Sequence, residues 1–179
     1  GIGGSALGPQ TLIDALGNSD VEFFFMDNTD AEHISDTLKK IDPKKALFYV
    51  VSKSGGTAET MANFAIARNF LLEAGIKKED FKNHFVLCTD PKSGHLRELA
   101  DSEGLDALEV PSDIGGRFSV FTHVGLFPAL FAGIDIDELF AGANDIKDAL
   151  LSENMDENFL IKTGAHIAEL FESQNVNQT

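Results

Sequence analysis

A chain of 179 residues suits one domain, or one domain with a helical extension. Its 43% hydrophobic and 24% charged residues allow a packed core and argue against disorder. The 29 acidic residues against 14 basic ones leave a formal charge of −15. So acidic a surface repels nucleic acid and anionic membrane, and any bound anion has to be held locally against that field.

The single cysteine, Cys88, excludes an intramolecular disulfide framework and a Cys-rich zinc motif. His33, His84, His95, His123 and His166 are scattered, with no H-x-x-x-H spacing, so no metal is expected. The most apolar stretch, Phe118 to Ile136, follows Arg117 and contains His123, Pro128 and Asp135, too interrupted for a membrane span. The opening is a glycine loop and not a signal peptide, so a cytoplasmic protein is expected. That loop is normally entered from a strand, and the tail Gln174 to Thr179 ends polar. The chain therefore reads as an internal piece of a longer protein.

In chain order, Pro9 suits a first helical turn and Gly17 a C-terminal cap. Val21 to Met26 reads as a strand. Asp30 to Lys40 reads as a helix, with Ile34 and Leu38 one turn apart and lysines at its end. Ala46 to Val51 is a clearer strand. Thr57 to Ala74 predicts a helix with Met61, Phe64, Ala65, Leu71 and Leu72 on one face, ending at Gly75. His84 to Cys88 and Ala107 to Val110 are further strands, separated by a short helix from Gly94 to Glu103. Phe118 to Ala132, kinked at Pro128, then Ile136 to Leu151 and Glu157 to Phe171 complete the helices.

Strands alternating with helices predict a parallel α/β sheet. A strand ahead of Gly1 would make five strands, ordered 2-1-3-4-5 as in flavodoxin-like folds. The loops Gly1 to Gly8 and Ser52 to Thr57 would then meet at the switch point, where open α/β sheets bind ligands.

Three loops carry candidate chemistry. Gly1-Ile2-Gly3-Gly4-Ser5-Ala6 fits the G-x-G-x-x-A dinucleotide form, with Asp27 where a ribose ligand would sit, but it equally fits a tight strand-to-helix turn. Ser52-Lys53-Ser54-Gly55-Gly56-Thr57 combines hydroxyls, a lysine and two glycines at a helix start, donors suited to a phosphomonoester. An ordinary N-cap by Ser54 or Thr57, with Glu59 in the first turn, accounts for only part of that cluster. Gly115-Gly116-Arg117-Phe118-Ser119 follows the last strand. Its arginine is a fork for an oxyanion, or a partner for an acid such as Asp113.

Taken together, Gly1 to Pro9, Ser52 to Thr60 and Gly115 to Val120, continued by Val124-Gly125-Leu126, resemble the glucose-6-phosphate isomerase family. The resemblance covers essentially the whole piece. It implies the family's sugar-isomerase (SIS) domain: an α/β, flavodoxin-like three-layer sandwich on a parallel sheet, whose first strand is missing from this piece. Residues 1–134 would be the sugar-phosphate-binding domain and 135–179 a helical extension towards the next domain.

The implied reaction interconverts glucose 6-phosphate and fructose 6-phosphate through a cis-enediol, without a cofactor, in glycolysis and gluconeogenesis. The resemblance assigns Ser52, Ser54 and Thr57 to the sugar phosphate, with Lys53 in the same loop. It places Gly4 and Ser5 against the substrate, and Arg117 near C1–C2 to stabilise the enediolate. The implied assembly is a homodimer at full length. The family's Glu-Ser-Asn-Gly-Lys type segment, ring-opening histidine and C-terminal lysine find no match here. Glu157, Glu169 and Glu172 fit none of those motifs, so the piece alone is expected to be inactive. His123 stands where the family signature has a small residue, and is read as structural. Three alternatives differ in class. Another sugar-phosphate isomerase, or an aminotransferase's isomerase domain, is opposed by Gly115 to Ser119. A non-catalytic SIS sensor would bring a DNA-binding segment. A dinucleotide domain leaves Ser52 to Thr57 unexplained.

Overall fold

The computed structural model describes residues 1–152, 154 and 158–174. Its elements follow in the order α1 (Gly4–Leu16), α2 (Ala31–Leu38), β1 (Phe48–Val51), α3 (Ala58–Glu73), β2 (Phe85–Thr89), α4 (His95–Glu103), β3 (Asp106–Glu109), α5 (His123–Phe131), α6 (Ile136–Leu151) and α7 (Phe159–Gln174). The three strands form one parallel sheet in the order β1-β2-β3, with Val50 opposite Leu87 and Cys88 opposite Leu108. Parallel neighbours need crossovers, which α3 and α4 supply.

Strand alternation splits the apolar residues between two layers. Val50, Phe85 and Leu87 pack with Phe64, Ala67 and Leu71 of α3 and with Leu96 and Ala100 of α4. Val51, Cys88 and Val110 pack with Val124 of α5 on the other face. Both faces are thus covered, which explains why β1 and β2 read as near-continuous apolar runs. Each large side chain buried this way contributes about 1.5–3 kcal/mol. On the α3 layer, Arg68 stacks over Phe64 and Phe81 and pairs with Glu103 at 2.9 Å. On the other, the Tyr49 hydroxyl donates to the His123 carbonyl at 2.7 Å, and α1 packs along α5.

Several elements differ from the sequence reading. The stretch 21–26 has no regular secondary structure and is not a strand. A strand exists only through a neighbour's ladder, and among the described residues none lies beside it. Side chains hold its backbone instead: the Asn63 amide donates to the Met26 and Asn28 carbonyls at 3.1 and 2.8 Å, and His33 Nε2 sits 3.2 Å from the Phe25 carbonyl. That role also corrects the buried face of α3, which is Thr60, Asn63, Phe64, Ala67 and Leu71. Ala65 and Leu72 are exposed. Pro9 lies inside α1 and not in its first turn, so the Ser5 carbonyl lacks its usual i+4 donor. The helix expected from Phe118 begins at His123, because Gly116–Phe118 forms a separate 3-10 turn and Thr122 caps the helix.

The chain divides into two compact units, Gly1–Ile134 and Asp135–Thr179. In the second, Asp135 caps α6 by accepting from the Asp137 and Glu138 amides at 2.9 and 3.1 Å. Buried Asn158 joins the end of α6 to the start of α7: it donates to the Leu150 carbonyl at 2.8 Å and accepts from the Ile161 amide at 3.2 Å. Glu157, the expected start of that last helix, lies outside the described residues, as does the tail at 175–179. Among the described residues, no helix is long and apolar enough to cross a membrane.

Candidate functional site

All three strands point the same way, so the loops leaving β1, β2 and β3 gather at one end of the sheet. A cleft of about 450 Å³ opens there, lined among others by Ser5, Ser52, Ser54, Thr57, Asp90 and Ser93.

The loop after β1 forms the cleft's hydroxyl cluster. The Ser52 and Thr57 hydroxyls lie 2.9 Å apart, with Ser54 at 3.5 Å from the first and 3.4 Å from the second. Thr57 is the N-cap residue of α3, yet its side chain accepts from no helix amide. Its hydroxyl belongs to the cluster, and the first-turn amides of α3 carry no side-chain cap. An ordinary cap therefore does not account for this loop. Hydroxyls and uncapped amides converging at a helix's positive end are donors for an anion with several oxygens. Beneath them the Thr60 hydroxyl is buried without a hydrogen-bond partner among the described residues.

Glycines let this loop seat tightly on the next one. Gly55 and Gly94 have φ of 67° and 100°, and a Cβ on Gly94 would stand 2.6 Å from the Ser54 carbonyl. The Leu96 amide donates to the Gly55 carbonyl at 3.1 Å, and the Asp90 amide to the Lys53 carbonyl at 3.2 Å. Asp90 organises the turn itself, accepting from the Lys92 and Ser93 amides at 2.8 and 3.0 Å and from the Ser93 hydroxyl at 3.3 Å. The Lys92 amide is the main cause holding the Asp90 carboxyl below its usual range, with Ser93 adding to it.

Lys53 lines the cleft, but its ammonium donates to the Ser112 and Ile114 carbonyls, both at 2.8 Å. That segment leads into Gly115-Gly116-Arg117. Gly4 touches the same loop: a Cβ there would collide with the Gly116 carbonyl and lie 2.8 Å from the Arg117 amide nitrogen. Ser119 closes the turn by donating to the Gly116 carbonyl at 2.7 Å. Arg117 is exposed, outside the cleft lining, and pairs with no acid among the described residues, Asp113 included. His123 is the first residue of α5, and its Nδ1 lies 2.8 Å from the Glu109 carbonyl, a link between helix and sheet.

The structure thus brings Ser5, Ser52, Lys53, Ser54 and Thr57 to one cleft and sets Gly4 against the Arg117 loop. Sequence reasoning missed Thr60, Asp90 and Ser93. Asp90 and Ser93 sit just after β2, at the carboxyl end where ligands of parallel sheets bind, and that rule could have flagged them.

A family model described as phosphoglucose isomerase matches residues 1–177. The chain belongs to the phosphoglucose isomerase family. A glucose-6-phosphate isomerase of Thermus thermophilus is 45% identical over 163 residues, which are 91% of this chain and 39% of that protein. The Carboxydothermus hydrogenoformans enzyme of the same name is 41% identical over 169 residues, 88% of this chain and 36% of its own. Among solved structures, a hypothetical protein from Thermus thermophilus superposes with a TM-score of 0.87 at 43% identity, covering 94% of this chain and 40% of that one. A glucose-6-phosphate isomerase from Chlamydia trachomatis gives 0.78 at 30% identity, covering 96% and 32%. The chain spans about two-fifths of the length of the curated relatives it matches. Family membership agrees with the open parallel α/β sheet and with the three loops that carried the resemblance.

Proposed function

We propose that this chain supplies the phosphate site and an enediolate-stabilising arginine to a glucose-6-phosphate isomerase. The observation that carries the reading is the hydroxyl cluster of Ser52, Ser54 and Thr57 at the uncapped start of α3, with Ser5 in the same cleft. The phosphoryl group of glucose 6-phosphate or fructose 6-phosphate sits on those donors. The sugar then extends along the cleft past Gly4 and Ser5. Arg117 acts at the far end of the sugar, offset from the phosphate by roughly a hexose, where proton transfer between C2 and C1 builds oxyanion charge. Its guanidinium has no acid to neutralise it among the described residues, which suits that work.

The proton itself needs a base within about 2.6–3.2 Å. Glu169 and Glu172 match no base motif of the family, so the base comes from the remaining length that the relatives have. In this reading, residues 1–134 form the sugar-phosphate-binding domain and 135–179 lead towards the next one, in a cytoplasmic enzyme that is a homodimer at full length. Residues 1–179 alone do not turn over the substrate.

The test is a coupled assay of the full-length protein. Fructose 6-phosphate should be isomerised and fructose, lacking the phosphate, should not. Equal turnover of both would remove the phosphate site from the reading. Turnover by residues 1–179 alone would show that the base lies within them.

A further inference from the structure

We infer that Lys53 is a positioning residue: it straps the Arg117 loop to the hydroxyl loop and does not hold the phosphate. This rests on the reading above, and it separates Lys53 from the hydroxyls beside it.

The argument starts from donor capacity. A lysine ammonium has three N–H donors and no acceptor. Two point at the Ser112 and Ile114 carbonyls, both at 2.8 Å. Those carbonyls lie on the segment between β3 and the 3-10 turn that carries Arg117. Such a segment needs outside partners, because an irregular exposed stretch has few of its own. Within it, the Ile114 amide donates to the Pro111 carbonyl at 3.2 Å and the Phe118 amide to the Gly115 carbonyl at 2.9 Å, both local. Lys53 is a long-range partner, 59 and 61 residues away in sequence.

The strap is anchored at its own end. The Lys53 carbonyl accepts from the Asp90 amide at 3.2 Å, so its backbone is fixed to the turn after β2 while its side chain reaches the turn after β3. Gly4 also abuts this loop, at Gly116 and Arg117. The arginine loop is thus contacted both by the loop after β1 and by the start of α1. Both contacts come from segments that line the cleft or border it. The distance between the phosphate donors and Arg117 is therefore set through Lys53. In a reaction where one end of a sugar is anchored and the other must meet a charge, that spacing is part of turnover.

The test uses the full-length protein and three variants: Lys53→Met, Lys53→Arg, and Lys53→Met combined with Arg117→Ala. Turnover and the Michaelis constant for fructose 6-phosphate are read with inhibition by inorganic phosphate. Lys53→Met should lower kcat by about ten- to a hundredfold through misplacement of Arg117, with phosphate inhibition unchanged. Lys53→Arg, which keeps donors for both carbonyls, should recover part of that loss. In the Arg117→Ala background, Lys53→Met should cost little more. Loss of phosphate inhibition with kcat preserved would overturn the inference, as would fully additive losses in the double variant. An unchanged kcat in Lys53→Met would do the same. If Lys53→Met does not fold by circular dichroism, a crystal structure of the unmutated protein with inorganic phosphate decides. Nζ on the two carbonyls supports the strap, and Nζ within about 3.2 Å of a phosphate oxygen refutes it. Failure of the unmutated enzyme to turn over sugar phosphates is a separate outcome, which removes the reading and the inference together.

Discussion

The loop that lines the cleft after β1 and the loop that carries Arg117 after β3 are built in opposite ways. Ser52 to Thr57 is short, joins a strand directly to a helix, and begins at a Ser52 only 3% exposed. Its hydroxyls bond one another and its Gly55 seats on Gly94. The stretch from Pro111 to Phe118 is mostly exposed, with Phe118 at 76%, and it takes its position from Lys53 and Gly4. The difference suits the two tasks. Binding a phosphoryl group calls for several fixed donors, which a strand-to-helix junction provides from local residues. Placing one charge beside a reacting carbon calls for a set distance from that anchor, which long-range contacts provide.

The largest way to sharpen this contrast is Arg117→Ala. Removing a donor that acts on developing oxyanion charge costs about 2.7–4 kcal/mol of barrier. Steady-state kinetics of the full-length enzyme should show the loss in kcat with little change in the Michaelis constant; an effect on binding alone would make Arg117 a ground-state anchor. Next comes Gly4→Ala, which drives a methyl into the Gly116 backbone and moves the same arginine without touching its side chain. A displacement of that kind costs up to about a hundredfold in kcat, and the phosphate loop should keep its affinity for inorganic phosphate.

Ser54→Ala acts on the other loop. Losing one hydrogen bond to a charged group costs about 1.5–3 kcal/mol, so the Michaelis constant should rise by roughly tenfold or more while kcat changes less. If Ser54→Ala and Arg117→Ala alter the same kinetic constant, the division of labour between the loops is wrong. The smallest effect lies under them, at Cys88, whose carbonyl accepts the Ser52 amide at 3.0 Å. Burial pushes the Cys88 thiol up from 9.0 to about 11. Because the folded state holds the proton more tightly, its stabilising share is full below pH 9.0 and is lost as pH rises towards about 11. The unfolding free energy from denaturant titrations should fall across that window by on the order of 1 kcal/mol more than in Cys88→Val.

The parallel sheet was legible because Ala46 to Val51 and His84 to Cys88 are apolar on both faces, a pattern only a doubly covered strand requires. Val21 to Met26 carries the same composition but no ladder, since pairing belongs to the neighbour and not to the run itself. Thr60 and Asn63 belong to the buried face of α3, and a search for apolar spacing passes over them because they are polar. Asn63 is buried because two backbone carbonyls, distant in sequence, need its amide. The hydroxyl loop stood out because its donors are adjacent in sequence. The orientation of Lys53 did not, because its partners at Ser112 and Ile114 are brought to it only by the fold. Asp90 and Ser93 were hidden for the same reason, as an ordinary Asp-Pro turn until the sheet places it beside the hydroxyls.

The central claim is that the hydroxyl cluster at the start of α3 holds the phosphoryl group. Inhibition of the full-length enzyme by inorganic phosphate, compared with a Ser52→Ala and Thr57→Val double variant that folds with the same melting curve, tests it most directly. The account predicts competitive inhibition in the unmutated enzyme and at least a roughly tenfold weaker inhibition constant in the variant, the minimum for losing charge-assisted hydrogen bonds. An inhibition constant that does not move would place the phosphoryl group elsewhere and contradict the account.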